Sequence, residues 1–221
     1  MPTILTDIEV RVLGSLIEKQ VTTPEYYPLT MNALTLACNQ KNNRNPVTAF
    51  NEGTVAEAVE SLRAKNLAYV FYGSNNRVPK YKHVMPEIFH LTHQELSLMC
   101  VLMLRGPQTV GELHQRAARL FDFRGLEEVE ETLRLLITKE PETLVVRLPR
   151  QPGQKETRFA HLLAGEVSID YAPEIDSTRE GAPGRQSSSE RISRLEQEVE
   201  RLSAEMESLV KQFAEFRKQF E

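Results

Sequence analysis

Leu5-Thr6-Asp7-Ile8-Glu9 recurs 86 positions later as Leu91-Thr92-His93-Gln94-Glu95. Each reads as a capping box, in which the threonine oxygen accepts from the amide three residues on and the glutamate reaches back. The apolar stripe that follows repeats at the same offset, pairing Val10 with Leu96, Leu13 with Met99 and Leu16 with Leu102. A unit of about 85 residues is too long for a solenoid repeat. The chain is therefore expected to hold two copies of one domain.

In the first copy the stripe Val10, Leu13, Leu16, Ile17 marks a first helix, which Thr22-Thr23-Pro24 ends. Pro28-Leu29-Thr30 opens a second helix, with Leu34, Ala37 and Cys38 on one face. The run from Asn39 to Pro46 is a turn-rich bend. Thr54-Val55-Ala56-Glu57 reads as another capping box and predicts the start of a third helix, with Val55, Ala58, Val59 and Leu62 facing inward. Leu67 to Tyr72 reads as a strand from its β-branched and aromatic content, and Arg77 to Val84 returns as a second. Three helices and a hairpin is the winged-helix order.

The second copy follows the same plan. Thr109-Val110-Gly111-Glu112 caps a second helix, Leu126 to Thr138 makes a third, and Thr143–Leu148 with Thr157–Leu163 forms a hairpin. Ser61-Leu62-Arg63 matches Thr132-Leu133-Arg134 at an offset of 71. The first copy is thus about 15 residues longer between its first and third helices. Pro173, Gly181, Pro183, Gly184 and Ser187-Ser188-Ser189 then describe a linker. Beyond it Ile192, Val199, Met206, Phe213 and Phe220 alternate with Leu195, Leu202, Leu209 and Phe216 at spacings of three and four, a heptad pattern. The expected fold class is mostly α with small β-hairpin wings (α+β), arranged as winged-helix domains 1–88 and 89–165, a linker 166–189 and a coiled coil 190–221. That coil is expected to pair two chains, the blander reading being a helix that docks on its own domains.

Charge and cysteine content narrow the function. The net charge of −4 gives no global pull toward nucleic acid or acidic lipid. No apolar run approaches the roughly 20 residues needed to span a bilayer. With an acidic rather than basic start, the N-terminus reads as uncleaved, and a cytoplasmic protein is expected. Cys38 and Cys100 fall on apolar stripes, where free cysteine acts as a small hydrophobe. His83, His90, His93, His114 and His161 lack metal-ligand spacing, and no GxxxxGK[ST] or GxGxxG loop is present. No metal, cofactor or enzymatic activity is expected.

Local charge says more. Residues 61–86 hold Arg63, Lys65, Arg77, Lys80 and Lys82 without an acid, and residues 26–51 hold Lys41 and Arg44, again without one. In a strand, Lys80 and Lys82 would share one face and Tyr81 the other. Asn39, Gln40, Asn42, Asn43 and Asn45 would either read base edges or serve the turn. The third helices argue against groove insertion, with Glu57 and Glu60 on the first and Glu127, Glu128, Glu130 and Glu131 on the second. The second hairpin suits phosphate better, with Arg147, Arg150, Lys155 and Arg158 against Glu156. Lys41, Arg44, Arg77, Lys80 and Lys82 are the expected contacts to duplex DNA, with a transcription regulator as the expected role. The competing expectation is a non-enzymatic scaffold whose acidic third helices meet a basic partner.

The stretches Leu16-Ile17-Glu18-Lys19, Thr22-Thr23-Pro24-Glu25-Tyr26-Tyr27-Pro28-Leu29, Asn32-Ala33-Leu34, Ala37-Cys38-Asn39-Gln40-Lys41, Arg44-Asn45-Pro46-Val47 and Arg77-Val78-Pro79-Lys80-Tyr81-Lys82-His83 resemble the YceH family of uncharacterised bacterial proteins. The resemblance covers about residues 5–165. It implies a tandem winged-helix fold in a bacterial cytoplasm and supplies no activity.

Overall fold

The computed structural model describes residues 4–72, 78–150 and 156–166. The heptad segment lies outside them. The first module runs α1 (Asp7–Thr22), a 3-10 turn (Pro24–Tyr26), β1 (Leu29–Thr30), α2 (Met31–Cys38), α3 (Glu52–Ala64), β2 (Ala68–Phe71) and β3 (Lys80–His83). A short helix, α4 (Met85–Phe89), leads into the second: α5 (His93–Arg105), α6 (Val110–Ala117), α7 (Leu126–Ile137), β4 (Val145–Arg147) and β5 (Phe159–His161). The class is mixed, with helices dominating and small antiparallel sheets. The first sheet has the order β1-β3-β2. In the second, β4 pairs with β5, and the strand corresponding to β1 shrinks to one bridge between Gln108 and Phe159.

The repeated sequence signals build repeated contacts. Thr6 with Glu9, Thr92 with Glu95 and Thr109 with Glu112 all form complete capping boxes. Each first-helix glutamate also holds the end of its own third helix. Lys65 Nζ donates to Glu9 at 2.7 Å and to the Ile4 carbonyl at 3.0 Å. Lys139 Nζ donates to Glu95 at 2.7 Å and to the His90 carbonyl at 2.9 Å. Ile4 and His90 are again 86 positions apart. One cap differs from expectation: α3 starts at Glu52, because Asn51 Oδ1 accepts from the Thr54 amide at 2.8 Å. Asparagine caps as well as threonine and allows an earlier start.

A single apolar stripe per first helix understates what is buried. Every residue of α1 from Glu9 to Glu18 is buried, and so is every residue of α5 from Glu95 to Leu104. A helix covered all round needs neighbours on both sides. α1 packs on α2 and α3 of its own module and on α5 of the other. The two first helices cross where Gly14 meets Cys100, whose Sγ lies 3.5 Å from the Gly14 carbonyl oxygen. A Cβ at Gly14 would fall 2.9 Å from Leu104 Cδ2 and 3.3 Å from Met103 Cβ. The missing side chain lets the helices approach. Gly14→Val is expected to destabilise the chain by about 1–3 kcal/mol through overpacking, read as a lowered thermal midpoint. An unchanged midpoint would mean the helices separate freely at this point.

Candidate functional site

The β2–β3 hairpin carries the best-defined exposed chemistry of the first module. Its register sets Tyr69 opposite Lys82, Val70 opposite Tyr81 and Phe71 opposite Lys80. Alternation along each strand sends Ala68, Tyr81 and His83 into the core. Tyr69 and Phe71 are left exposed, with Lys80 and Lys82 partly so. Tyr69 is 40% exposed, Phe71 43% and the following Tyr72 72%. Lys82 Nζ stands 4.6 Å from the centre of the Tyr69 ring, a cation–π contact. Among the described residues neither Lys80 nor Lys82 has a carboxylate partner.

The hairpin is held from beneath. The Tyr27 hydroxyl accepts from the His83 amide at 2.9 Å, and the Tyr27 ring meets the His83 ring edge-on. His83 Nδ1 faces the Met85 amide at 3.4 Å, and its Nε2 is bonded to Gln20 Oε1. Burial, with Lys82 adding repulsion, pushes the imidazole pKa down to about 4. Tyr27 is driven well above its ordinary value by its own burial.

Arg44 needs a correction. It was expected on a phosphate-facing bend, yet its side chain is buried. Nη1 and Nη2 donate to the Glu18 carboxylate at 3.0 and 2.6 Å, while Nε and Nη2 donate to the Ala37 carbonyl at 3.1 and 2.7 Å. Its charge is spent on a carboxylate that is itself fully buried. The bend follows the arginine inward. The Asn45 amide donates to the Leu104 carbonyl at 2.9 Å, Asn43 Oδ1 accepts from Arg105 at 2.6 Å, and Asn39 closes the bend onto Phe50. Arg11, also buried, donates to the Cys38 and Pro46 carbonyls. Part of the extra length of the first copy thus forms a wedge between the modules. The Asn39 side chain serves the turn, and that of Asn43 is engaged by Arg105.

The other expected contacts divide. Lys41 is exposed on the bend, Lys80 and Lys82 share the hairpin face, and Arg77 lies outside the described residues. Both third helices keep their acids in solvent: Glu57 and Glu60 on α3, and Glu127, Glu130 and Glu131 on α7. In the second hairpin Arg158 is tied to Glu112 and the Pro107 carbonyl at 2.9 Å each. A groove of about 470 Å³ opens there, lined by Leu126, Leu133, Ile137 and Phe159 with Arg134 and Arg147. Cys38 and Cys100 are buried, and burial raises both thiol pKa values, so neither is poised as a nucleophile. Sequence reasoning passed over Tyr69 and Phe71. Their signal was the alternation Ala68-Tyr69-Val70-Phe71, which puts both on one face; the register brings that face beside the lysines.

The model of a family described as protein of unknown function, DUF480, matches residues 5–154. The chain belongs to that family. The match takes in the first module and the second as far as β4. Among curated relatives, a UPF0502 protein of Geobacter sulfurreducens is 50% identical over 222 residues, covering 100% of both chains. One of Geotalea uraniireducens is 51% identical over 217 residues, 98% of each chain. One of Opitutus terrae is 50% identical over 181 residues, 79% of each. Among the described residues no helix is long and apolar enough to cross a membrane.

Proposed function

We propose that both modules are winged helices and that the first binds duplex DNA through its hairpin, without catalysis. The observation that carries this reading is the open face where Lys80 and Lys82 stand beside Tyr69 and Phe71 without a carboxylate partner among the described residues. The strand order β1-β3-β2 behind three helices supports the fold assignment. The acidic face of α3 opposes insertion into the major groove, so the hairpin leads the contact. The contact set becomes Lys41, Arg77, Lys80 and Lys82, in a cytoplasmic regulator. The heptads of residues 190–221 would pair two such chains. Sedimentation of the full chain checks that pairing, and a monomer at micromolar concentration refutes it.

Titrating a labelled duplex at two salt concentrations tests the DNA reading. With about four phosphates neutralised, log affinity should fall against log salt with a slope of about −3 to −4. Exchanging both hairpin lysines (Lys80→Glu, Lys82→Glu) is expected to weaken binding at least about tenfold and to cut the slope by about 2. Unchanged affinity would move the site elsewhere. Absence of wild-type binding at about 50 mM salt would reject the closed duplex as the ligand.

The second module favours a competing reading as a protein-interaction scaffold. α7 exposes Leu126 and Leu135 beside Glu127, Glu130 and Glu131, an apolar and acidic surface suited to a basic partner. A chain that ignores DNA at low salt but is retained on a basic peptide would support it; Glu130→Lys with Glu131→Lys should then release the peptide.

A further inference from the structure

We infer that the outward face of the β2–β3 hairpin takes unpaired nucleotides, so that the preferred target is DNA with a locally opened segment rather than an uninterrupted duplex. This rests on the DNA reading above and names the state of the DNA. Lysines alone would serve any phosphate backbone, and they do not account for the rings between them. Tyr69 and Phe71 each stand opposite a lysine, Lys82 and Lys80, and both keep substantial surface in solvent. Tyr72 continues the aromatic run at 72% exposed. The faces of these rings find no stacking partner on the outside of a closed duplex, whose base faces are already stacked on one another. They match the faces of bases that have left the stack.

Spacing points the same way. Residues two apart on a strand lie about 6.6 Å apart, nearly twice the roughly 3.4 Å rise between stacked bases. Successive bases covering Tyr69 and Phe71 must therefore be unstacked from each other, which an opened strand allows. The paired lysines then sit beside the phosphates of the same strand. The acids of α3, Glu57 and Glu60, weaken the alternative of a helix laid in a closed major groove.

The experiment compares two labelled probes with the full chain at about 50 mM salt: a closed duplex, and the same duplex with a central unpaired stretch of about six nucleotides. The opened probe is expected to bind at least about tenfold more tightly. The chain contains no tryptophan, so Phe71→Trp supplies an emission that reports on this face alone. The opened probe should quench it and the closed duplex should not. Tyr69→Leu with Phe71→Leu, which keeps apolar bulk and removes the rings, should abolish the preference and leave the salt-dependent binding. Equal affinities with an unquenched tryptophan would overturn the inference and leave duplex binding standing. Failure of both probes to bind would overturn the DNA reading itself. Should the leucine variant not fold by circular dichroism, the tryptophan signal decides.

Discussion

Glu18→Ala is expected to cost about 3–5 kcal/mol of folding stability, the loss that follows when one partner of a buried ion pair is removed. Glu18 is 0% exposed, and it is the acceptor around which the wedge is built. Two guanidinium groups donate to it, Arg44 from the bend and Arg119 from beyond the end of α6. Lys19 stands 3.9 Å away, and Arg11 is buried nearby with its own charge opposed by that of Arg44. Burial alone would raise the Glu18 pKa, but hydrogen bonds and charge from Arg44, with Arg119 adding to them, hold it below the ordinary carboxylate range. Without the carboxylate, Arg44 keeps its carbonyl partners and loses its counter-charge in a place water does not reach. At about 2–4 °C per kcal/mol for a chain of this size, the melting midpoint should drop by roughly 6–20 °C. Glu18→Gln should fall between, because it keeps an acceptor and loses the charge. Removing both charges, Glu18→Leu with Arg44→Met, should recover much of the loss. A cost below about 1 kcal/mol for Glu18→Ala would show that the network does not hold the modules together.

Acidification should be the second large effect. His83 accepts from the Met85 amide at Nδ1, so its proton sits on Nε2 facing Gln20. A second proton would set two donors against each other in a buried site. The folded pKa of about 4 lies below the ordinary value of 6.5. Between those values the unfolded chain binds more protons, so stability is complete above pH 6.5 and falls as pH drops toward 4. A depression of that size corresponds to about 3 kcal/mol for His83. His161, also pushed down to about 4 by burial and with no partner for Nδ1 among the described residues, adds a loss of the same sign. Glu9 and Glu18, whose pKa values are lowered, contribute only further down, as pH falls below 4.5. Urea midpoints measured from pH 7.5 to 4.5 should fall mainly below 6.5, and His83→Gln should weaken that dependence, leaving the share of His161. A flat profile across this window would contradict the buried neutral imidazole.

The local elements were legible because their causes are local. Each capping box needs residues three apart, and all three seen in the first and sixth helices and at the repeat of the first were readable from Thr6, Thr92 and Thr109. The hairpin face was half legible: alternation placed Lys80 and Lys82 together, but the partner strand that adds Tyr69 and Phe71 depends on register. Arg44 was misplaced for a different reason. An acid-free stretch of sequence looks like an exposed basic surface when the acid that neutralises it lies 26 residues away on another helix. Likewise, Arg119 reaches Glu18 across 101 residues.

By itself, the sequence determined the repeated unit, its helices and hairpins, and the charge carried by each segment, since periodicity and capping are short-range properties. Only the tertiary structure decided which charges remain available. Packing α1 against α5 buries both helices on every side and draws the bend between α2 and α3 into the seam. Burying an arginine is tolerable only beside a carboxylate and carbonyl acceptors, so Arg44 lies in the interior, while Lys80, Lys82 and the rings beside them keep surface in solvent.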